Sequence, residues 1–239
     1  MKDQSTLVTI ADSWAKVNFG QFLKIQPGSP LVDILAILLN KSAGEVATMR
    51  FDVEDAMRKL AFLETPVPQV SRETNLEETT VDRYEDLKFI TKDFKGTAED
   101  FKQYPAIYAI FIDPVYEEAA ADRHIPEVEK LPCGQVLGTV IHYIKEIDRI
   151  EEKWGKLFPK SGYSQEQIAA GYKQIDEYFK FYGTIQFMEA SLPYNREQLL
   201  KWKVADFKYN LLYLAWKNEA AKKYSEGQAA KVREKTPKR

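Results

Sequence analysis

The chain has 239 residues, of which 44% are apolar and 29% are charged, so it can bury a core of ordinary globular size. Its net charge of −2 argues against nucleic-acid binding by the whole protein, which normally needs a basic excess. The only cysteine, Cys133, excludes an internal disulfide and favours a reducing compartment.

The apolar runs of the chain are short. The strongest, residues 31–39 and 106–112, fall well below the roughly 20 residues that span a bilayer. The first ten positions, 1–10, contain no apolar core of signal-peptide length. We therefore expect a soluble protein that is made in the cytoplasm and makes no membrane contact.

Residues 1–64 are predicted to form an N-terminal module of short helices. Residues 6–10 are rich in β-branched side chains and form a candidate strand, a minor β element. Several side chains that typically cap helices follow at short intervals, each before an apolar repeat. These helix-start signals are Asn18, Ser29 with Pro30, Ser42 and Asp52.

Residues 65–96 differ in character and are predicted to be an acidic loop or linker. Pro66 and Pro68 interrupt any helix, and residues 72–100 carry nine acidic and five basic side chains. A solvated loop is the favoured interpretation. The alternative is one or two short strands near 84–90.

Residues 97–224 are predicted to form a larger helical module. Helices are expected from Thr97, with a bend at Pro105, and over residues 133–154. A further helix from Ser164 places apolar side chains at alternating steps of four and three, a repeat along one face. Its members are Ile168, Tyr172, Ile175, Phe179 and Tyr182.

The last predicted helix runs from Asn195 to about Tyr224. One apolar stripe follows its length, and Tyr209, Tyr213 and Trp216 form a second stripe beside it. A helix that is apolar over so wide an arc should be covered on two sides, by its own domain and by a partner protein. The alternative is a helix buried within one domain. The three aromatic residues are therefore candidate partner contacts.

Residues 225–239 are predicted to be a solvated basic tail. Counted from residue 217, the C-terminal part has eight basic and three acidic side chains. A contact of Lys231 and Arg233 with an acidic partner or with nucleic acid is the alternative.

The residues that commonly carry chemistry are few and badly spaced. His124 has no histidine or cysteine at metal-ligand spacing, and His142 lacks the glutamate three residues earlier that di-iron bundles use. Cys133 could gain acidity at a helix start, but it lies too far along that helix from His142 to form a catalytic pair. A phosphate-binding glycine loop is also missing from the sequence. We expect no catalytic, cofactor or metal site.

Several stretches resemble small helical proteins encoded by tailed bacteriophages, including crAss-like phages and proteins of the tail-assembly-chaperone type. Residues 9–14 carry TIADSW and residues 19–22 carry FGQF, and the helical region that follows ends in LAFL at 60–63. The aliphatic run before a proline at 108–114, and the aromatic helix at 207–219, are similar to the middle and closing parts of those proteins.

The resemblance implies a mainly α, multi-helix, bundle-like protein without cofactor or catalytic residues. It implies a virion structural protein near the portal, connector or tail, working by assembly with other phage proteins and as a homo-oligomer. The alternatives are a tail assembly chaperone that leaves the particle, and a nucleic-acid adaptor that uses the basic tail.

Overall fold

A computed structural model describes residues 10–26, 28–49, 51–71, 74–97, 99–159 and 165–235. Within these ranges, the side chains of residues 118–119, 176–177 and 230–235 lie outside the description. The candidate strand at 6–10 falls outside the described residues except for Ile10, which is buried and not in a strand.

The described residues form thirteen α-helices and no strand, which confirms the mainly α prediction. The helices are α1 Phe19–Lys24, α2 Leu31–Leu39, α3 Ala43–Thr48, α4 Val53–Leu60, α5 Val81–Thr91, α6 Tyr104–Ala109, α7 Glu118–Ala121, α8 Ile125–Val128, α9 Cys133–Gly155, α10 Gln165–Ala169, α11 Tyr172–Ser191, α12 Arg196–Leu200 and α13 Val204–Lys235. Five short 3-10 helices accompany them: Trp14–Lys16, Ala61–Glu64, Leu76–Glu78, Asp100–Gln103 and Asp122–His124.

Four of the helices begin where the sequence places a capping side chain. Asn18, Ser42 and Asn195 each accept a hydrogen bond from the backbone three residues later, in a reciprocal capping box. Asp52 accepts from two backbone amides of α4. Each cap satisfies backbone donors that the first helical turn leaves unpaired.

The prediction of a loop or strands at 65–96 is wrong for its second half, which contains helix α5. Val81, Tyr84 and Leu87 are buried at helical spacing, and the acidic side chains of this segment occupy the other faces of the helix. Burial of this narrow apolar face therefore outweighs the polar composition that suggested a loop.

The chain divides into two compact units that do not coincide with the boundaries expected from sequence. The first unit comprises Met1–Thr74 with Leu87–Lys145, and the second comprises Asn75–Asp86 with Glu146–Arg239. A core cluster in the first unit gathers apolar side chains from the N-terminal helices. Its buried members are Ile10, Leu35, Ala36, Val46, Ala56 and Leu60.

Two glycines four residues apart let another part of the first unit approach helix α9 closely. A Cβ atom at Gly134 would lie 2.2 Å from the carbonyl oxygen of Pro68, and one at Gly138 would lie 2.7 Å from the backbone nitrogen of Val70. The backbone amide of Val70 donates to the carbonyl of Gly134 at 3.1 Å. The absence of side chains at these two positions is therefore what allows the Pro68 to Val70 backbone to lie on the helix.

In the second unit, the single helix predicted from Asn195 is divided at residues 201–203. The amide of Val81 donates to the carbonyl of Trp202, and the amide of Val204 donates to the carbonyl of Thr79, both at 2.9 Å. These backbone bonds replace the helical ones at the break. The core beside it contains Val81, Ile185, Met188, Leu199, Phe207 and Leu214.

Helix α13 also continues past the predicted end at Tyr224, as far as Lys235, so residues 225–235 are helical rather than an irregular tail. Alanine, lysine, glutamate and glutamine dominate this stretch, and all are good helix formers, with Gly227 the weakest position. Its 32 residues correspond to about 48 Å at 1.5 Å per residue.

The close approach to α9 gives a first test. We expect Gly138→Ala to lower the free energy of unfolding by roughly 1–3 kcal/mol, because the new methyl group would overlap the backbone of Val70. Urea unfolding at neutral pH measures this change.

Gly155→Ala on the same helix is the matched control. A Cβ atom there would meet nothing within 4 Å, so the gain in helix propensity should be neutral or stabilising by up to about 1 kcal/mol. Equal destabilisation by both substitutions would contradict the packing argument.

Candidate interaction surface on the last helix

Helix α13 buries one side and exposes the other. Phe207 and Leu214 are buried in the core of the second unit. Tyr209, Tyr213 and Trp216, called the aromatic stripe below, are 61%, 63% and 50% exposed. Their spacing of four and three residues places the rings along one line of the helix surface. These exposures exclude the alternative of a helix buried on all sides.

Two residues of the aromatic stripe are held in place by the end of α9. The ring of Tyr209 meets that of Trp154 edge to face, with centroids 4.8 Å apart and an interplanar angle of 89°. The indole nitrogen of Trp216 donates to the carbonyl of Leu157 at 3.2 Å. Rings fixed in this way lose little conformational freedom when a partner covers them, so the surface is prepared for binding.

A carboxylate beneath the stripe holds Trp154 itself. Glu77 accepts from the indole nitrogen of Trp154 at 3.0 Å and from Lys153 at 2.7 Å, and Arg149 lies 3.5 Å away. Burial acts to raise the pKa of Glu77. The hydrogen bonds from Lys153 and Trp154 and the two positive charges outweigh it and hold that pKa below its ordinary value.

The first turns of α13 are tied to α9 by a second carboxylate. Glu151 accepts from the hydroxyl of Tyr84 at 2.8 Å and from the amine of Lys208 at 3.0 Å. Tyr84 is buried, and burial followed by the nearby charge of Glu151 raises the pKa of its hydroxyl. Tyr84 therefore acts as a neutral donor that positions Glu151 against the lysine of α13.

Helix α13 continues well beyond Leu214, its last buried residue in the core of the second unit. Every residue over 220–229 is exposed, and an ion pair at 3.4 Å between Lys223 and Glu219 is a contact within the helix itself. A helical segment of this length is only marginally stable alone in water. Lys231 and Arg233, the candidate contacts of the basic tail, lie on the same helix, and their side chains lie outside the described residues.

The titratable residues considered in the sequence do not come together as a catalytic group. His124 lies between two carboxylates, with Nδ1 3.2 Å from Glu127 and Nε2 2.9 Å from Asp113. The hydrogen bond to Glu127 and then that to Asp113 raise the pKa of the imidazole. Both ring nitrogens are thus engaged within the protein, as in a structural ion pair.

Cys133 and His142 do not share a site with His124. The Cys133 sulfur is buried 3.5 Å from the carbonyl of Trp14, and burial raises the pKa of the thiol to about 11. The suggestion that the helix start makes this thiol acidic is therefore wrong, because desolvation dominates. His142 lies 3.4 Å from the carbonyl of Thr74. Among the described residues, no group of three His, Cys, Asp or Glu side chains is arranged to hold a metal ion.

The structure also contains an apolar groove in the first unit that the sequence did not indicate. Its volume is about 1070 Å³, and Trp14, Phe22, Ile34 and Phe101 contribute to its walls. The spacing of apolar residues predicts which side chains are buried. It does not predict whether they pack against one another or leave a groove between them. The walls of the groove are mainly apolar, with a few charged side chains among them.

Comparisons with known proteins give no match, whether with protein-family models, with curated proteins or with solved structures. Within the part of the chain that the structure describes, no helix is long and apolar enough to cross a membrane.

The carboxylate under the stripe gives a pH-dependent test. We expect Glu77→Gln to lower the free energy of unfolding by roughly 1–2 kcal/mol at pH 7, because the charge-assisted bonds weaken. The folded pKa of Glu77 is lowered from 4.5, so its stabilisation is fully present above that pH and is lost as the pH falls through the folded pKa. Urea unfolding of both proteins from pH 7 to acid pH should show the difference shrinking.

Glu152→Gln is the control, since Glu152, on α9 beside Lys153, pairs with Lys156 at 2.6 Å and both side chains are largely exposed. Its unfolding midpoint should change little. A pH-independent effect of Glu77→Gln, or an equal effect of the control, would contradict the role given to Glu77.

Proposed function

We propose that this chain is a non-enzymatic structural protein of a tailed bacteriophage particle, acting by protein–protein assembly in the portal, connector or tail region. The phage assignment rests on the sequence resemblance. The assembly role is supported by one observation above all, the anchored and exposed aromatic stripe of α13.

The stripe has the chemistry of a protein-binding surface. Tyrosine and tryptophan are enriched among the residues that carry most of the binding energy at protein interfaces, since they bury a large area with few rotatable bonds. Here three such rings lie on one helix face, and the unpacked continuation of α13 extends the same surface. A partner that covers the stripe would also supply the packing that the C-terminal turns lack.

Particle composition tests the structural role. We expect quantitative mass spectrometry of purified particles of the encoding phage to find this chain at a fixed copy number per particle. Trace amounts in finished particles, together with a stable complex with a tail protein in infected-cell lysate, would support the assembly-chaperone alternative and reject the structural role.

A single substitution tests the stripe. We expect Tyr213→Glu to reduce incorporation into particles at least tenfold, or about 1.4 kcal/mol in binding free energy, because it places a charge at the centre of the contact. Its effect on the free energy of unfolding should stay within about 0.5 kcal/mol, since the side chain is exposed.

Phe89→Glu is the matched control, an equally exposed aromatic residue on helix α5 at 67%. It should be incorporated normally. Normal incorporation of Tyr213→Glu, or equal loss of both variants, would reject the aromatic stripe as the docking surface.

A further inference from the structure

A second exposed apolar surface lies on α10 and α11, and it has the pattern of a helix-pairing seam. Its five residues step by four, three, four and three, the repeat that places side chains between two packed helices. We call them the α11 seam: Ile168, Tyr172, Ile175, Phe179 and Tyr182. Each is between 45% and 55% exposed, and among the described residues Arg196 covers part of the Tyr182 ring at 4.7 Å, so the seam is only partly covered.

The backbone of the structure divides this seam in two places. Gly171 has φ +86°, which ends α10 and starts α11 in a new direction. Lys180 has φ 36° and ψ −110°, a non-helical conformation inside α11. In this structure the seam residues therefore do not lie on one continuous helix, although their spacing in the sequence is that of a continuous helix.

The conformation at Lys180 is unfavourable for a residue with a side chain. The helical piece between the two interruptions is only about two turns long, and pieces of this length are unstable in water without packing. After Lys180 the helix is well anchored, since Ile185 and Met188 are buried in the core of the second unit. A continuous helix through residues 165–191 would remove both interruptions and extend outward from that anchored end.

We propose that residues 165–182 are a self-association segment, which straightens into one helix as it pairs with the same segment of a second copy of this chain. The seam positions carry no charge, so two copies do not repel each other along the contact. In an antiparallel pair with two-fold symmetry, Ile175 lies at the centre of the seam and meets its equivalent in the other copy.

The exposed area is sufficient for a stable pair. The aromatic residues of this segment, with Tyr178 at 83% exposure beside the seam, expose roughly 500 Å² in total, if a whole aromatic side chain presents about 200 Å². Two copies would then bury about 1,000 Å² from aromatic rings alone, before the isoleucines are added, which reaches the size of a specific interface. Such a pair deepens the assembly role proposed above, but it is measured on the purified chain without any phage component.

Sedimentation velocity of the full chain over a range of concentrations tests the pairing. We expect a monomer–dimer equilibrium and a rise in far-ultraviolet helical signal on dimerisation. Ile175→Glu should raise the dissociation constant at least tenfold without unfolding the monomer, because this side chain is half exposed there. Tyr213→Glu on the aromatic stripe should leave the dimer intact.

Two backbone substitutions test whether the segment straightens as it pairs, and they should change the dissociation constant of the dimer in opposite directions. Gly171→Ala disfavours the positive φ of the interrupted form and should tighten the dimer. Lys180→Gly relieves the strained position and favours the interrupted form, so it should weaken the dimer. Changes of the dissociation constant in the reversed directions, or no change in either variant, would overturn the proposed straightening.

A cross-link tests the symmetry. Cys133 is the one native cysteine and is buried, so Ile175→Cys adds one exposed thiol per chain. Oxidation with diamide should give a covalent dimer from Ile175→Cys and not from Tyr213→Cys. A chain that stays monomeric, a dimer insensitive to Ile175→Glu, or one lost in Tyr213→Glu would overturn the proposal, and none of these results bears on incorporation into particles.

Discussion

The hydrogen bonds that Glu77 accepts from Trp154 and Lys153 are the constraint on which the candidate surface depends. They seat a fully buried indole at the end of α9, and Tyr209 then packs edge to face on that ring. The turn after Trp154 presents the carbonyl of Leu157, which accepts from Trp216. The half-buried carboxylate of Glu77 thus holds the indole on which Tyr209 packs, and Trp216 is held by the backbone that follows it.

Local signals in the sequence locate several helix starts, although the α-helix expected from Thr97 begins only at Tyr104, and they do not locate the helix breaks. Asn18, Ser42 and Asn195 act within four residues, so their capping role follows from the sequence alone. The break at 201–203 depends on backbone pairing with residues 79–81, more than a hundred positions away. Likewise, Gly134 and Gly138 look like weak helix positions until the backbone of Pro68 and Val70 is placed against them.

The candidate surface shows the same limit in a different form. Periodicity predicts the aromatic stripe and the α11 seam as apolar helix faces. The stripe lies on one helix as expected, whereas the structure interrupts the helix of the seam at Gly171 and Lys180. Periodicity does not identify what covers such a face, because a core and an interface use the same spacing. A second apolar side on the last helix is what predicts a partner contact for the stripe. The seam has no such second indication in the sequence, and only its exposure separates it from a core helix.

The two proposed contacts would play different parts in an assembly. A seam that pairs with the same seam of a second copy is fully covered in the dimer. By itself it therefore cannot add a third copy. In the proposed function the aromatic stripe docks on a different protein, so it would carry no such built-in limit. Larger structures would therefore grow through α13, and the seam would set the unit that is added. Because the seam straightens only as it pairs, the addition of subunits would depend on a conformational change that a single free chain does not complete.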